Sequence, residues 1–170
     1  MIKLKLILIY IVFFAGIFFF CAGVSPAQQE PVLDLKTTVQ KEVRTKKNGK
    51  WVMERMPVEE TMKGDILVFT INYINQGKTD IVDVGIVNPI PQGVVYIPES
   101  AEGQNAEITC SIDNAGSWHK PPIMTRVKKP DGKEEIRPVP ADQYTHIRWV
   151  IKKPILPGLT GRVSFKATVK

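Results

Sequence analysis

Past residue 30, apolar and polar residues alternate along the chain with a period of two, which is typical of half-buried β-strands. The clearest case is the last strand, where Val163, Phe165, Ala167 and Val169 alternate with polar side chains. No stretch in this part of the sequence carries the sustained 3.6-residue apolar period of an amphipathic helix. The pattern therefore predicts an all-β domain whose strands each bury one face.

The segment 65–75 also has the pattern of a strand. Leu67, Phe69, Ile71 and Tyr73 form an apolar row, and the opposite row is mixed, so this strand is predicted to be central. Shorter strands are predicted at 35–43, 51–56, 81–87, 94–97, 108–112, 123–127 and 147–151. About eight to ten short strands separated by turn residues are typical of a β-sandwich.

Turn residues fall between these predicted strands. Asn48-Gly49 is the strongest hairpin signal, because both central positions of a type I′ turn need a positive φ. Pro130-Asp131-Gly132 predicts a second turn. Prolines interrupt the chain at 89–93 and 154–158, where a central strand would lack a hydrogen-bond donor. We expect the most mobile loops at 100–105 and 115–122.

The first residues have the pattern of an export signal. Lys3 and Lys5 precede an apolar run over 6–24, and Ser25-Pro26-Ala27 supplies small residues for cleavage after Ala27. The length of the apolar run is also close to the roughly 20 residues that span a bilayer, so the alternative of an uncleaved membrane anchor stays open. The predicted organisation is a signal peptide or anchor at 1–27, a tether at 28–33 and one β-sandwich domain at 34–170.

The two cysteines lie in different predicted regions. Lipidation of Cys21 is disfavoured, because bulky Phe residues occupy 18–20 where a lipoprotein signal has a small residue. Cleavage after Ala27 would leave Cys110 as the only thiol, so no intrachain disulfide is expected. Cys110 alternates with Ile108 and Ile112, which predicts a buried strand residue.

The chain is mildly basic, with a formal net charge of +6 over 170 residues. Removing Lys3 and Lys5 leaves 21 basic against 17 acidic residues, a net charge of +4. The basic pairs are scattered and lack interleaved aromatic residues, so nucleic acid is not an expected partner. Weak attraction to anionic envelope polymers or phospholipid is compatible with this charge.

The sequence lacks the common catalytic and cofactor motifs, so we expect no enzyme activity and no cofactor. His119 and His146 are far apart and are expected at the surface. Adjacent carboxylates at 59–60 and 134–135 point to opposite sides of an extended chain. A calcium site at Asp80 with Asp83, or at Asp113 with Asn114, is disfavoured, because Ca²⁺ needs about six to eight oxygen ligands.

Three segments in order, 64–77, 84–97 and 147–158, resemble the conserved-repeat domain of bacterial and archaeal envelope proteins, known as domain of unknown function eleven. The matching positions are Gly64, Asp65, Asn75, Gly77, Asn88, Pro91, Gly93, Trp149, Pro157 and Gly158. The resemblance implies an exported, immunoglobulin-like antiparallel β-sandwich without catalytic residues. Asn88 replaces the usual Asp of this family, which weakens a carboxylate ion site at that turn. The single copy without cysteine-rich partner domains also makes a cross-linked lattice doubtful.

The sequence thus predicts a non-catalytic structural or interaction module of the cell envelope, in the periplasm or at the cell surface. Its expected partner is an envelope protein or polymer, bound through sheet edges and end loops. Membrane attachment is expected only through the N-terminal segment, if that segment is not cleaved. The alternative is a carbohydrate-binding surface domain that uses the loop with Trp118 and His119.

Overall fold

The computed structural model describes residues 32–170, so the predicted signal segment at 1–27 and the cleavage site after Ala27 lie outside it. This part of the chain is all-β, with 56% of residues in strands. Apart from strands, it contains one short 3₁₀ turn at Ala141–Gln143. No helix between residues 32 and 170 has the length and apolar content to cross a membrane.

The strands are β1 (Leu33–Lys47), β2 (Lys50–Pro57), β3 (Ile66–Asn75), β4 (Gly85–Pro89), β5 (Val94–Tyr96), β6 (Glu102–Gly103), β7 (Ala106–Ser111), β8 (Met124–Lys128), β9 (Glu134–Pro138), β10 (His146–Ile151) and β11 (Thr160–Val169). All pairings are antiparallel. The larger sheet has the order β2-β1-β3-β11-β5, and β6 also pairs with β11. The smaller sheet has the order β4-β10-β7, and β8 with β9 forms a separate two-stranded sheet.

The core combines side chains of the larger and the smaller sheet in one buried cluster. Phe69 of β3 and Phe165 of β11 lie directly opposite each other, with ring centroids 4.7 Å apart. Trp149 of β10 is fully buried and lies 6.2 Å from the Phe165 ring. Because both sheets contribute one apolar face to this cluster, the predicted sandwich-like all-β arrangement is confirmed.

Several predictions from the alternating pattern are confirmed in detail. The strand β3 is central, since β1 and β11 flank it on either side. Val163, Phe165 and Ala167 of β11 are buried, as is Cys110 of β7. Asn48 and Gly49 have φ values of 52° and 79°, as a type I′ hairpin turn requires.

Other strand bounds differ from the prediction. The strand predicted at 81–87 begins only at Gly85, because Asp83 has a φ of 55° that interrupts the extended chain. Ile81 instead makes an isolated bridge with Ile155. The strands β6 and β9 were not predicted. All five residues of β9 are exposed, so no apolar face marks it, and β6 is a two-residue pairing inside the loop predicted at 100–105.

Candidate functional site

The β1–β2 hairpin extends beyond the rest of the larger sheet. The pairing of β1 with β3 ends at Glu42, whereas its pairing with β2 continues to Lys47. Residues 43–47 and 50–54 therefore pair only with each other, and we call this two-stranded segment the ribbon. The pairing of two strands does not by itself cover either face of such a segment with another sheet or a helix.

The ribbon exposes large apolar side chains. Trp51 is 59% exposed and Met53 is 56% exposed, and both lie on the same face of β2. Val52 lies on the other face and is also exposed, as is Met56, which follows the ribbon on β2. An edge strand with exposed apolar side chains on both faces is typical of a contact surface and not of a strand that buries one face in the core.

The ribbon is also basic. Arg44, Lys46, Lys47 and Lys50 face a single acidic residue, Glu54, within it. Lys47 forms a salt bridge with Glu54 at 2.8 Å, and the guanidinium of Arg44 lies 4.9 Å from the centre of the Trp51 ring. Among residues 32–170, Lys46 and Lys50 have no acidic group within salt-bridge distance. The ribbon thus carries unpaired positive charge beside exposed apolar surface.

The outer edge of β2 has no strand beside it in the described chain. Lys47 and Lys50 flank the two-residue turn and form the last hydrogen-bonded pair of this hairpin. Because backbone groups alternate in direction along a strand, Trp51, Met53 and Arg55 direct their N–H and C=O groups outward. The open edge therefore offers three regularly spaced residues for strand pairing.

The other sheet edges within residues 32–170 are shorter or partly covered. The strand β4 has five residues and ends at Pro89, which has no N–H to donate. The strand β5 has three residues. At the edge of β7, His119 forms two backbone hydrogen bonds with Cys110, of 2.8 and 2.9 Å. The β2 edge is therefore the best candidate for strand addition.

The predicted site residues Trp118 and His119 lie beside the smaller sheet, away from the ribbon in the topology. The guanidinium of Arg148 lies 4.5 Å from the centre of the Trp118 ring, and its Nε donates to Thr109 Oγ1 at 3.1 Å. Trp118 is half-buried, and its ring packs on a side chain of β10. Carbohydrate binding by this loop stays a prediction.

A hydrogen-bonded chain of Asp113, Ser117 and His119 stabilises the same loop. The Ser117 hydroxyl donates to Asp113 Oδ2 at 2.6 Å and lies 3.0 Å from His119 Nε2. Hydrogen bonds from the hydroxyls of Ser111 and Ser117, and from the Ser117 amide, hold the pKa of Asp113 well below its usual value. A carboxylate of such low basicity is poorly suited to accept a proton near neutral pH.

The positions shared with the resembled family lie mainly in turns and in the core. Asn75 is fully buried, and its Nδ2 donates to the carbonyls of Thr79 and Ile155 at 2.8 and 2.7 Å. The amides of Gly77 and Gly158 donate to the side-chain and backbone oxygens of Asn75, respectively. The structure therefore brings three of these positions together around one buried amide.

The remaining family positions are separate from that cluster. Gly64 and Gly93 have positive φ values of 92° and 86° and are turn residues. Asp65 accepts hydrogen bonds from Lys41 and the Met62 amide. Asn88 donates only to the carbonyl of Pro89, at 2.7 Å. The other family positions, Pro91, Trp149 and Pro157, lie respectively between β4 and β5, in the core on β10 and before β11.

A cleft of about 960 Å³ lies at one end of the larger sheet. Tyr73, Ile155 and Leu156 supply apolar surface, whereas Lys36 and Arg162 supply charge. Its lining contains neither His nor Cys. Within residues 32–170, no three His, Cys, Asp or Glu side chains are grouped so that they could hold a metal ion.

Comparisons of this chain with protein-family models, curated proteins and solved structures found no match. The resemblance to the conserved-repeat domain therefore stays a prediction. The ribbon itself was not predicted as a site, although a signal for it exists. Three consecutive apolar residues, 51–53, follow a basic turn, and a strand with one buried face would alternate there instead.

Proposed function

We propose that this chain is a non-catalytic, exported module of the cell envelope with an immunoglobulin-like β-sandwich. It binds another envelope component through its sheet edges and end loops, and the β2 edge is its main contact. The observation that carries this proposal is the open edge of β2, which combines free backbone groups with the exposed side chains of Trp51 and Met53.

Strand addition is the binding mode that fits such an edge. An added strand gains main-chain hydrogen bonds, and alternate side chains supply specificity. Exposed edges are usually short, charged or covered, because they otherwise promote association. The β2 edge carries charged side chains, but it is neither short nor covered within the described chain: it extends over eight residues and presents two large apolar side chains beside its free backbone groups.

Export is supported by the N-terminal sequence pattern, with a basic start, an apolar run and a small-residue cleavage motif. The immunoglobulin-like assignment is supported by the order of the three family-like segments and by the sandwich-like packing of antiparallel sheets. A binding role is supported by the β2 edge, which combines exposed apolar and basic side chains and has no strand beside it in the described chain.

The test is site-specific photo-cross-linking in growing cells at native abundance. A photoreactive amino acid replaces Met53 at the β2 edge, and the matched control replaces Met62, which is 69% exposed and lies outside the strands. We expect covalent adducts with another envelope component from position 53 and not from position 62. Absence of such adducts at position 53 would refute binding through this edge.

The Met53→Pro variant tests whether binding uses the backbone of the edge. The N–H of Met53 points away from β1, so its loss leaves the β1–β2 ladder intact. We expect normal circular dichroism and loss of the adducts formed from a photoreactive residue at Trp51. Unchanged adducts in a folded Met53→Pro variant would exclude strand addition.

A further inference from the structure

We propose that the occupant of the β2 edge is the same edge of a second copy of this chain. The two strands pair antiparallel about a two-fold axis that passes beside Val52. This inference rests on the part of the proposed function that makes the β2 edge a binding surface, and it differs from that proposal in naming a second copy of the chain as the occupant of the edge. Because a two-fold contact uses the same patch on both copies, it closes as a dimer and does not propagate into a fibre.

Hydrogen-bond geometry limits the possible registers. Trp51, Met53 and Arg55 direct their backbone groups outward, so these residues must lie opposite one another in the two copies. A two-fold axis at Val52, Met53 or Glu54 meets this condition and also brings at least two of the three residues opposite each other. The side chains that each register places in direct opposition then distinguish the three.

Within residues 50–54, the axis at Val52 makes every direct pair complementary. It places Val52 opposite Val52 of the second copy and Trp51 opposite Met53 of the second copy. It also places Lys50 opposite Glu54 of the second copy, and the symmetry repeats this pair on the other side of the axis. Opposite charges and apolar pairs directly across two strands both stabilise the pairing.

The other two registers are less favourable. An axis at Met53 places Met53 opposite itself and Trp51 opposite Arg55 of the second copy. It also places Val52 opposite the charged Glu54 and Lys50 opposite Met56, so Lys50 gains no opposite charge. An axis at Glu54 places two carboxylates opposite each other, which is destabilising. It also places Trp51 opposite Pro57, which has no N–H for the ladder.

The charges of the ribbon fit the Val52 register. Lys50 has no acidic partner among residues 32–170, and within its own hairpin it lies directly opposite Lys47. Lys47 bonds Oε1 of Glu54, and no side chain of the described residues bonds Oε2. Lys50 of the second copy would therefore gain an opposite charge that its own chain does not provide.

The projection of the ribbon makes room for this pairing. In the Val52 register, the turn at Asn48 and Gly49 lies beside residues 55–56 of the second copy, where β2 joins the larger sheet. The overlap thus falls along the projecting residues 50–54 of both chains. The two sandwiches lie at opposite ends of a four-stranded sheet with the order β1-β2-β2-β1.

Disulfide trapping of Val52→Cys tests the dimer and its register. The chain is expressed with its own N-terminus, purified as the cell processes it, and carries Cys21→Ser so that only the introduced thiol is accessible. Directly opposite residues without mutual hydrogen bonds have Cα atoms about 4.5 Å apart, within the range for a disulfide. We expect a dimer of twice the monomer mass after mild oxidation.

Met56→Cys is the matched control, because Met56 is exposed on the same face of the same strand. In the Val52 register the two copies of position 56 lie eight residues apart along the strands, about 27 Å. We expect monomer from this variant under the same oxidation. Equal cross-linking at positions 52 and 56, or none at position 52, would overturn the proposal.

Charge exchange provides the second measurement, in the Val52→Cys background. We expect Lys50→Glu and Glu54→Lys each to lower the cross-linking rate severalfold, and the double variant to restore it. Lys50→Glu places a carboxylate opposite Lys47 in its own hairpin, so a slower rate in that variant cannot come from a weaker ribbon. A double variant as slow as the single ones would refute the pairing of Lys50 with Glu54.

The outcomes separate this proposal from the proposed function. Photo-adducts with another envelope component, combined with no Val52→Cys dimer, would overturn the self-pairing and leave the proposed function standing. A Val52→Cys dimer, combined with photo-adducts to the same chain alone, would support self-pairing and refute binding of another component through this edge.

Discussion

Tyr73 of β3 lies directly opposite Gly161 of β11, and its ring occupies the space that a Cβ atom on Gly161 would need. Tyr73 is buried, and this burial raises the pKa of its hydroxyl. A glycine in a strand lets an aromatic ring lie against the neighbouring backbone. The small residue at position 161 is thus required by the side chain across from it.

We therefore expect Gly161→Ala to lower the free energy of unfolding by about 1–3 kcal/mol, because the buried Tyr73 ring must move. Urea unfolding followed by circular dichroism measures this change. Gly85→Ala is the control, since Gly85 is exposed on β4 with open space around its Cα and no positive φ. Its effect should stay within about 0.5 kcal/mol. Equal losses in the two variants would contradict the steric explanation.

The Asn75 side chain joins the end of β3 to the turn before β11. Its Nδ2 donates to two carbonyls, and its Oδ1 accepts the amide of Gly77 at 2.9 Å. Asn75→Ala leaves these groups without their partner in a buried site. We expect a loss of about 1–3 kcal/mol in the free energy of unfolding, measured by urea unfolding.

Asn88→Ala is the matched control for Asn75→Ala. The Asn88 side chain makes one hydrogen bond, to the carbonyl of Pro89 at the exposed end of β4. Its removal should change the free energy of unfolding by less than about 0.5 kcal/mol. A comparable loss in the two variants would show that burial of the Asn75 amide is not the cause.

The carboxylate of Asp65 connects the start of β3 to β1. The hydrogen bond from Lys41, at 2.9 Å, and then that from the Met62 amide, at 2.7 Å, hold the pKa of Asp65 below its usual value of 3.8. A lowered pKa in the folded state means that the carboxylate stabilises the fold above the unfolded-state pKa. This contribution is lost as the pH falls through the folded-state pKa.

We expect wild-type protein to have a higher Tm than Asp65→Asn at neutral pH, and this difference to shrink as the pH falls below 3.8. Thermal unfolding over a series of pH values measures it. Lys41→Gln should reduce the pH dependence of the wild type, because it removes the main partner of the carboxylate. A Tm difference between wild type and Asp65→Asn that is constant down to strongly acidic pH would contradict this prediction.

The fold could be predicted where a strand has one face in the core. The strands β10 and β11 alternate between buried and half-exposed residues, so the sequence shows their period of two. The strand β9 is exposed at every position, and no apolar period could reveal it. The strand β4 starts later than predicted because Asp83 has a positive φ. This residue is not a glycine, so the sequence does not indicate the conformation.

The candidate site could be predicted only in part. Asn48-Gly49 predicts the hairpin and its two-residue turn, and both are present. The exposure of Trp51 and Met53 depends on how far β1 extends past β3, which is set by the pairing of Glu42 with Ile66. That register is a long-range property of the sheet, and local patterns do not contain it.

The backbone of Cys110 pairs with Ile147 of β10 on one side and with His119 on the other, and its side chain lies in the core. It is fully buried, and burial raises its pKa to about 11. A buried thiol with a raised pKa forms little thiolate and is chemically inert in the folded state. In a Cys21→Ser background, we expect the rate of Cys110 labelling by a thiol-specific reagent at mildly alkaline pH to be limited by unfolding and to rise with urea. Met62→Cys supplies an exposed thiol on the same chain, away from the proposed dimer contact, and it should react at once without urea. Equally fast labelling of Cys110 in native buffer would mean that the core around Cys110 opens in the folded protein.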